Sequence, residues 1–273
     1  PAILSTRRIE GRNDRLVTIA ILPMMSCAGR LPIYMMFVSA LFPSHLQATV
    51  LFGIYAAGIL LALLCARLLK NTFFKTVQRD SPHRLKKLRI PSLRKVGLLM
   101  WSRAFMYVRK AGTFILGASI ILWFLNTYPR PEEGTVENAA AAMEHSYAGQ
   151  IGHWMEPVTR VAGFDWKVNS ALLGAFAAKE IFVTQMGILY AVQDGDSGAE
   201  AQQTLNARLK ASYTPLQGIS IMIFCLIALP CIGTVTVAKR EAGTWWFALA
   251  QFTGLTLMGF VAATVVYQAG LLM

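Results

Sequence analysis

The chain has 273 residues, 55% of them hydrophobic, with a mean hydropathy of +0.48 and a formal net charge of +12. Soluble domains are roughly 45–50% apolar and lack apolar runs of about 20 residues, so an ordinary soluble protein is excluded. The pattern predicts an all-α, polytopic membrane protein with about six apolar segments, some of them broken or re-entrant. No nucleic acid is expected as a partner, because no stacking aromatics or binding motif accompany the positive charge.

The first apolar run, from Leu16 to Phe42, is interrupted by Pro23-Met-Met-Ser-Cys-Ala-Gly-Arg-Leu-Pro32. A lipid-facing helix does not tolerate such a stretch, because its freed backbone groups and its guanidinium have no water to bind. Broken helices at membrane depth occur where the backbone lines a cavity or a substrate site. The interruption therefore predicts a transport site rather than a membrane anchor.

The second segment, Gln47–Leu69, is an uninterrupted span. Its small residues Gly58, Ala62 and Ala66 repeat every four positions, which predicts the close approach of another helix.

A basic stretch follows, in which positions 67–110 hold thirteen of the 26 lysines and arginines and only Asp80 opposes them. The positive-inside rule makes it a cytoplasmic loop, whose surface also suits the anionic headgroups of the lipid bilayer. Its second half has helical apolar spacing and predicts an amphipathic lead-in to the third segment at 111–128.

Residues 129–168 are richer in acidic than in basic side chains and are predicted to form an outer loop. Two interpretations stay open: the loop raises the local cation concentration modestly, or it is simply a solvated loop. All four histidines are predicted to be solvated in loops or turns: His45, His83, His145 and His153.

Two more broken segments and one clean span complete the chain. Asn169–Val192 carries Lys179-Glu180 at its middle, Leu216–Val237 carries Pro230-Cys231, and Trp245–Tyr267 is uninterrupted. Simple alternation from an inner N-terminus puts the basic pair at 239–240 outside, against the positive-inside rule. A re-entrant hairpin in either broken segment repairs this, and the sequence does not choose between them.

Two cysteines lie in the broken segments and are candidate metal contacts. Cys27 follows Ser26 and precedes Arg30, while Cys231 follows a proline that frees a backbone carbonyl. A helix N-terminus or a nearby cation favours the thiolate, which binds borderline and soft metals such as Fe(II), Zn and Cu(I) better than Mg or Ca. The cysteines at 65 and 225 have no polar neighbours and are assigned to packing.

The adjacent charges at mid-membrane cost several kcal/mol and therefore indicate a purpose. Glu180 is a candidate acidic ligand, and Lys179 neutralises it when the site is empty. The alternative is a structural ion pair with Arg30. No nucleotide-binding loop, HExxH or CxxC motif occurs, so the sequence predicts no enzyme and no catalytic residues in this chain.

Together these motifs resemble, in order and over nearly the whole chain, the membrane part of the bacterial ferrous iron transport protein B family. The resemblance rests on three stretches: Ser5–Glu10 with Asp14–Thr18, Pro23–Cys27 and Arg30–Pro32; Gly163–Trp166 with Ala177–Glu180 and Gly187–Tyr190; and Pro230-Cys231 with Lys239–Glu241. The family's first gate usually reads Ser-Cys-Gly/Ser-Ala-Arg, whereas here Ala28-Gly29 follow the cysteine.

The resemblance implies uptake of Fe2+, as the transported ion, across the bacterial inner membrane. It implies metal contacts from Cys27, Cys231 and Glu180, with Ser26, Arg30 and Lys179 in gating or charge balance. The family's N-terminal cytoplasmic GTPase domain is expected to lie outside this chain, which starts without a methionine, so GTP acts only through that domain. Expected partners are this GTPase, in the same protein or a separate chain, small cytoplasmic iron-transport accessory proteins, and further copies in a homo-oligomer.

The resemblance also gives a division into five regions. They are a first gate region with the following transmembrane helix (1–69), the basic cytoplasmic loop with its lead-in (70–110), a transmembrane helix (111–128), the acidic outer loop (129–168), and a second gate region with the C-terminal transmembrane helices (169–273). Two rival hypotheses remain: a gate-type permease for an organic solute such as a nucleoside, and a non-conducting membrane platform for a separate GTPase.

Overall fold

The computed structural model describes residues 2–9, 11–25, 27–72, 92–129, 139–190 and 198–272. Every regular element in these ranges is helical, as predicted. The α-helices are α1 (Ala2–Ser5), α2 (Arg12–Ile21), α3 (Leu31–Leu41), α4 (Ser44–Thr72), α5 (Leu93–Thr127), α6 (Ala139–His145), α7 (Tyr147–Thr159), α8 (Trp166–Ala177), α9 (Lys179–Leu189), α10 (Gly198–Ser212), α11 (Pro215–Ile227), α12 (Ile232–Ala242) and α13 (Trp245–Leu271). Short 3-10 turns lie at Thr6–Arg8, Leu22–Met24, Ala28–Arg30 and Arg160–Ala162.

The first predicted break lies between α2 and α3. Two 3-10 turns replace the α-helix there, and Pro23 lies in the first of them. The helix resumes with Pro32 in the first turn of α3, where a proline's missing N–H costs nothing. This segment is thus two half-helices joined by an irregular linker.

The other two predicted breaks are present as well. Ala178 is extended, with φ −149° and ψ 132°, and separates α8 from α9. Between α11 and α12, Leu229 has φ 54°, a left-handed conformation that is rare outside glycine, and Pro230 follows it. Cys231 then caps the N-terminus of α12.

Of the two candidate segments, α8–α9 has the hairpin geometry that a re-entrant segment requires. Lys167, at the start of α8, places its Nζ 4.4 Å from the ring centroid of Tyr190, which follows α9. Tyr213, ahead of α11, donates its hydroxyl to both carboxylate oxygens of Asp165 at 2.9 Å. Burial raises the pKa of Tyr213, so the phenol stays protonated as the donor. Both ends of the hairpin therefore lie on the side where α11 begins.

The third broken segment, Pro215–Ala242, is long and apolar enough to cross a membrane. Glu241, near the end of α12, is bound by Arg7 close to the chain's start, so α12 ends on the same side as the first residues. The basic pair at 239–240 therefore lies on the side of the basic N-terminal residues, as the positive-inside rule expects. Lys239 also lies over the Trp245 ring, 4.1 Å from its centroid.

Four helical stretches are long and apolar enough to span a membrane: Arg12–Leu41, Ser44–Thr72, Pro215–Ala242 and Trp245–Leu271. A shorter apolar stretch, Leu116–Thr127, forms the C-terminal part of the 35-residue α5. The described residues thus hold four candidate spans and one shorter apolar stretch, and the prediction of about six apolar segments stays a prediction. The five-region division of the chain stays a prediction, and residues 73–91 of its basic loop lie outside the described residues.

The predicted outer loop is wrong in its secondary structure, because α6 and α7 occupy much of it. The placement of the histidines in loops is wrong in the same way, although His45, His145 and His153 are exposed to solvent, as predicted. His45 lies in α4, and His153 lies in α7, where it stacks on Trp166 with centroids 4.7 Å apart. His145 is the last residue of α6, and His83 lies outside the described residues.

Small residues allow the spans to approach closely. A methyl group built on Gly58 of α4 would lie 2.8 Å from Cδ1 of Leu226 in α11. A methyl group on Gly259 of α13 would lie 2.7 Å from Cβ of Ala228. Both contacts hold neighbouring helices against α11 and its C-terminal break, which places that break at the centre of the bundle.

Single cysteines at three exposed positions in a cysteine-free background test this topology: Gln150→Cys before the hairpin, Lys210→Cys after it, and Arg240→Cys at the end of α12. We expect a membrane-impermeant maleimide, applied to sealed vesicles of known orientation, to label the first two from one side and the third from the other. Labelling of Gln150→Cys and Lys210→Cys from opposite sides would make α8–α9 a crossing segment and refute the hairpin.

Candidate functional site

The three helix breaks meet around Lys179, the first residue of α9. The Lys179 Nζ donates to the carbonyl oxygens of Cys225 and Ala228 at the third break. Glu180 also reaches the first break, because a methyl group built on Gly29 would lie 2.8 Å from its Oε1. Residues predicted separately on three segments thus share one region of the molecule.

Arg30 binds the carbonyl groups that the first break leaves without helical partners. Its side chain is 1% exposed, its Nη2 donates to the oxygen of Pro23 at 2.6 Å, and its Nη1 donates to those of Met24 and Met25 at 3.3 Å each. Buried carbonyls at a helix end need such donors, because neither water nor lipid supplies them.

Lys179 binds the backbone carbonyl groups that the third break leaves without helical partners. It is 6% exposed, and its Nζ donates to the carbonyl oxygens of Cys225 at 3.3 Å and Ala228 at 3.4 Å. These carbonyls belong to the last turn of α11 and the residue after it, where the break removes their helical partners.

Gln251 of α13 is a third buried donor of this kind, and the sequence analysis did not identify it. Its Nε2 donates to the oxygens of Ile19 at 2.7 Å and Ala20 at 3.2 Å, in the last turn of α2. The sequence could have indicated this role, since an amide in the middle of the otherwise apolar span Trp245–Tyr267 requires a polar partner.

The hypothesis of a structural ion pair with Arg30 is not supported. Across the described ranges, ion pairs join Arg7 to Glu241, Lys70 to Asp14, and His153 to Glu144 and Glu156. Arg30 and Lys179 use backbone carbonyls instead, because those carbonyls lie at the breaks themselves.

The two candidate thiols occupy equivalent positions on different segments. Cys27 is exposed and extended, directly before the 3-10 turn that leads into α3. Cys231 is half-buried at the N-cap of α12, with its Sγ 3.2 Å from Oγ1 of Thr234. Each thiol therefore lies at the N-terminal end of a helical stretch, where the backbone dipole favours negative charge.

The remaining cysteines occupy apolar surroundings. Cys225 is buried in the main hydrophobic core, and Cys65 places its Sγ 3.7 Å from Sδ of Met258. Ser26 lies outside the described residues, so its predicted gating role remains a prediction.

Within the described part of the chain, no three histidine, cysteine or acidic residues converge closely enough to hold a metal ion. The site instead offers two thiols, one carboxylate and a set of backbone carbonyls around two buried cations. Such a set suits brief, weak contacts with a passing cation better than a closed, high-affinity cage.

Comparison with known proteins agrees with this architecture. Residues 108–245 match the gate family model, described as nucleoside recognition, and residues 51–103 match the model of the ferrous iron transport protein B C terminus. The chain belongs to the ferrous iron transport protein B family. No solved structure matches it.

Three relatives illustrate the similarity. The Fe(2+) transport protein A/Fe(2+) transporter FeoB fusion protein of Porphyromonas gingivalis is 35% identical over 100% of this chain and 36% of its own length. The Fe(2+) transporter FeoB of Campylobacter jejuni is 33% identical over 97% of the chain and 43% of its own length. The Fe(2+) transporter FeoB of Methanocaldococcus jannaschii is 36% identical over 99% of the chain and 39% of its own length. The chain thus spans less than half the length of these relatives.

The substitution Gln251→Leu tests the importance of donors at the breaks. It leaves two buried carbonyls of α2 without their side-chain donor, so we expect a loss of about 1–3 kcal/mol in the free energy of unfolding. Denaturant unfolding in detergent measures it. Gln268→Leu is the matched control, because this exposed glutamine of the same helix also donates to a carbonyl, that of Val161. We expect less than about 0.5 kcal/mol from the control, and equal losses would contradict the argument.

Proposed function

We propose that this chain forms the permeation part of a transporter that takes up Fe2+ across the bacterial inner membrane. The observation that carries the proposal is the convergence of the broken segments: Lys179 binds the carbonyls of Cys225 and Ala228, shortly before Cys231, and the adjacent Glu180 reaches Gly29, two residues after Cys27. The transport names of the relatives support the choice of Fe2+ as cargo.

The proposed contacts match the chemistry of Fe2+. As a borderline cation it accepts both sulfur and oxygen ligands, which Cys27 and Cys231 supply as thiolates and Glu180 supplies as a carboxylate. The contacts come from three segments, so a small movement of any one segment changes the number of ligands that the ion meets. Weak binding of this kind permits release on the inner side.

The buried cations balance charge in the proposed cycle. With no metal present, Lys179 and Arg30 compensate the negative charge of the thiolates and of Glu180. When Fe2+ enters, it takes over part of that compensation, and the ammonium and guanidinium keep their carbonyl partners at the breaks. Ser26, directly before Cys27, is proposed to act with these two residues in gating.

The parts of the relatives that this chain does not match are proposed to supply regulation. GTP binding and hydrolysis belong to a cytoplasmic GTPase domain in that remainder or in a separate chain, and this chain itself is proposed to be no enzyme. Small cytoplasmic iron-transport accessory proteins are the further partners proposed. The fused transport protein A of the Porphyromonas relative supports such a partnership.

A second function has one observation in its favour. The matched gate model is described as nucleoside recognition, which suits a permease for an organic solute such as a nucleoside. A third is a membrane platform for a GTPase that conducts nothing. Thiol dependence separates all three, because only transport of a thiol-binding metal requires Cys27 and Cys231.

Anaerobic Fe2+ uptake into proteoliposomes that contain this chain tests the proposal. We expect Cys27→Ser and Cys231→Ser each to slow uptake about tenfold, as the loss of one metal contact of about 1.4 kcal/mol would do. Cys65→Ser is the matched control, since this thiol packs against methionine, and we expect it to leave uptake unchanged.

Each contrary outcome selects another function. Uptake that is equal in all three variants refutes the thiol pathway. Protection of the wild-type chain by a nucleoside, without thiol dependence, favours the organic-solute permease. Absence of uptake by the folded wild-type chain, together with retained binding of a GTPase, favours the platform.

A further inference from the structure

A short N-terminal segment is clamped onto α12. Arg7 binds Glu241 with two parallel hydrogen bonds, from Nε to Oε2 at 2.7 Å and from Nη2 to Oε1 at 2.6 Å. Two-pronged guanidinium–carboxylate pairs are the strong, directional form of the ion pair. We call residues Ala2–Arg8, with this bond, the N-terminal clamp.

The two partners differ in burial. The Glu241 side chain is 4% exposed, whereas that of Arg7 is 46% exposed. A buried carboxylate is costly unless a cation compensates it. In the described ranges Arg7 makes the ion pair with Glu241, while the neighbouring Lys239 lies over the Trp245 ring. The burial of Glu241 therefore depends on Arg7.

A second contact holds the same face of α12. Ile3 of the clamp packs against Ala238 of α12 and Ile19 of α2, in a buried apolar cluster separate from the main core. Ala238 and Glu241 are three residues apart, so they lie on one face of the helix. The hydroxyl of Thr6 donates to the carbonyl of Ile3 at 2.7 Å and keeps the clamp folded between its two contacts.

Helix α12 is bounded on both sides by non-helical backbone. Leu229, with φ 54°, and Pro230 precede it, and Gly243, with φ 82°, follows it. Cys231 caps one end, and Glu241 lies ten residues further along, about 15 Å away at the rise of an α-helix. A change in what holds Glu241 is therefore transmitted along the helix to Cys231.

We infer that the N-terminal clamp sets the position of α12 and, through it, of the Cys231 thiol. Arg7 and Glu241 are thus positioning residues: their bond lies at the opposite end of α12 from Cys231 and acts through the helix. The inference goes beyond the proposed function, because it holds for any solute that passes the thiol.

Thiol reactivity tests the clamp without any metal, so failure of the Fe2+ proposal leaves the test intact. The chain is prepared with Cys231 as its single cysteine and, separately, with Cys27 as its single cysteine. N-ethylmaleimide reacts with each in detergent and in proteoliposomes. We expect Arg7→Gln to change the reaction rate of Cys231 about fivefold or more and to leave that of Cys27 unchanged, because only α12 loses its hold.

Two further variants separate the clamp from general loosening. The double variant Arg7→Gln, Glu241→Gln has no buried charge to expel, so the Cys231 rate is expected to return toward that of the wild type. Lys70→Gln breaks the exposed pair with Asp14, 3.7 Å apart, between α4 and α2, and is expected to alter neither rate.

Three results would contradict the proposed role of the N-terminal clamp. An unchanged Cys231 rate in Arg7→Gln, equal changes at Cys27 and Cys231, or a double variant that behaves like Arg7→Gln would each overturn the inference. Where Arg7→Gln does not fold, Arg7→Lys is measured instead, since lysine keeps the positive charge but cannot make both parallel hydrogen bonds to Glu241. A smaller change confined to Cys231 supports the clamp, and no change overturns it.

Discussion

A helix that breaks at membrane depth leaves backbone carbonyls that lipid cannot satisfy, and the rest of this structure depends on how those carbonyls are bound. Three buried side chains provide the donors. Arg30 acts within its own break, Lys179 reaches from α9 to the end of α11, and Gln251 reaches from α13 to the end of α2. The first and third breaks are thus stabilised by buried donors, and two of these donors, Lys179 and Gln251, also fix two helices relative to one another.

The need for donors at the helix breaks also determines the charges of the candidate site. Because two of the donors are cations, stabilising the breaks also concentrates positive charge beside two thiols and a carboxylate. The cations are engaged with carbonyls, and Glu180 makes no ion pair among the described residues. The carbonyl groups at the breaks and the carboxylate of Glu180 therefore do not compete for the same donors.

Local signals made the breaks and the candidate residues predictable. Prolines, a mid-span arginine and a lysine–glutamate pair are costly in an apolar helix, so their positions alone marked all three interruptions. The partners were not predictable in the same way. The amide of Gln251 meets a carbonyl 232 residues away, and Arg7 meets Glu241 across 234 residues. The choice of the re-entrant segment likewise depended on long-range contacts such as that of Lys167 with Tyr190.

The close approach of Gly29 to Glu180 has a consequence for comparisons between gates. A side chain at position 29 and the carboxylate at position 180 compete for one volume. The usual gate pattern has alanine directly before the arginine, whereas this chain has glycine there. A gate with alanine at that place must shift the acidic side chain or the backbone beside it. One methyl group therefore changes the position of the carboxylate without changing its chemistry.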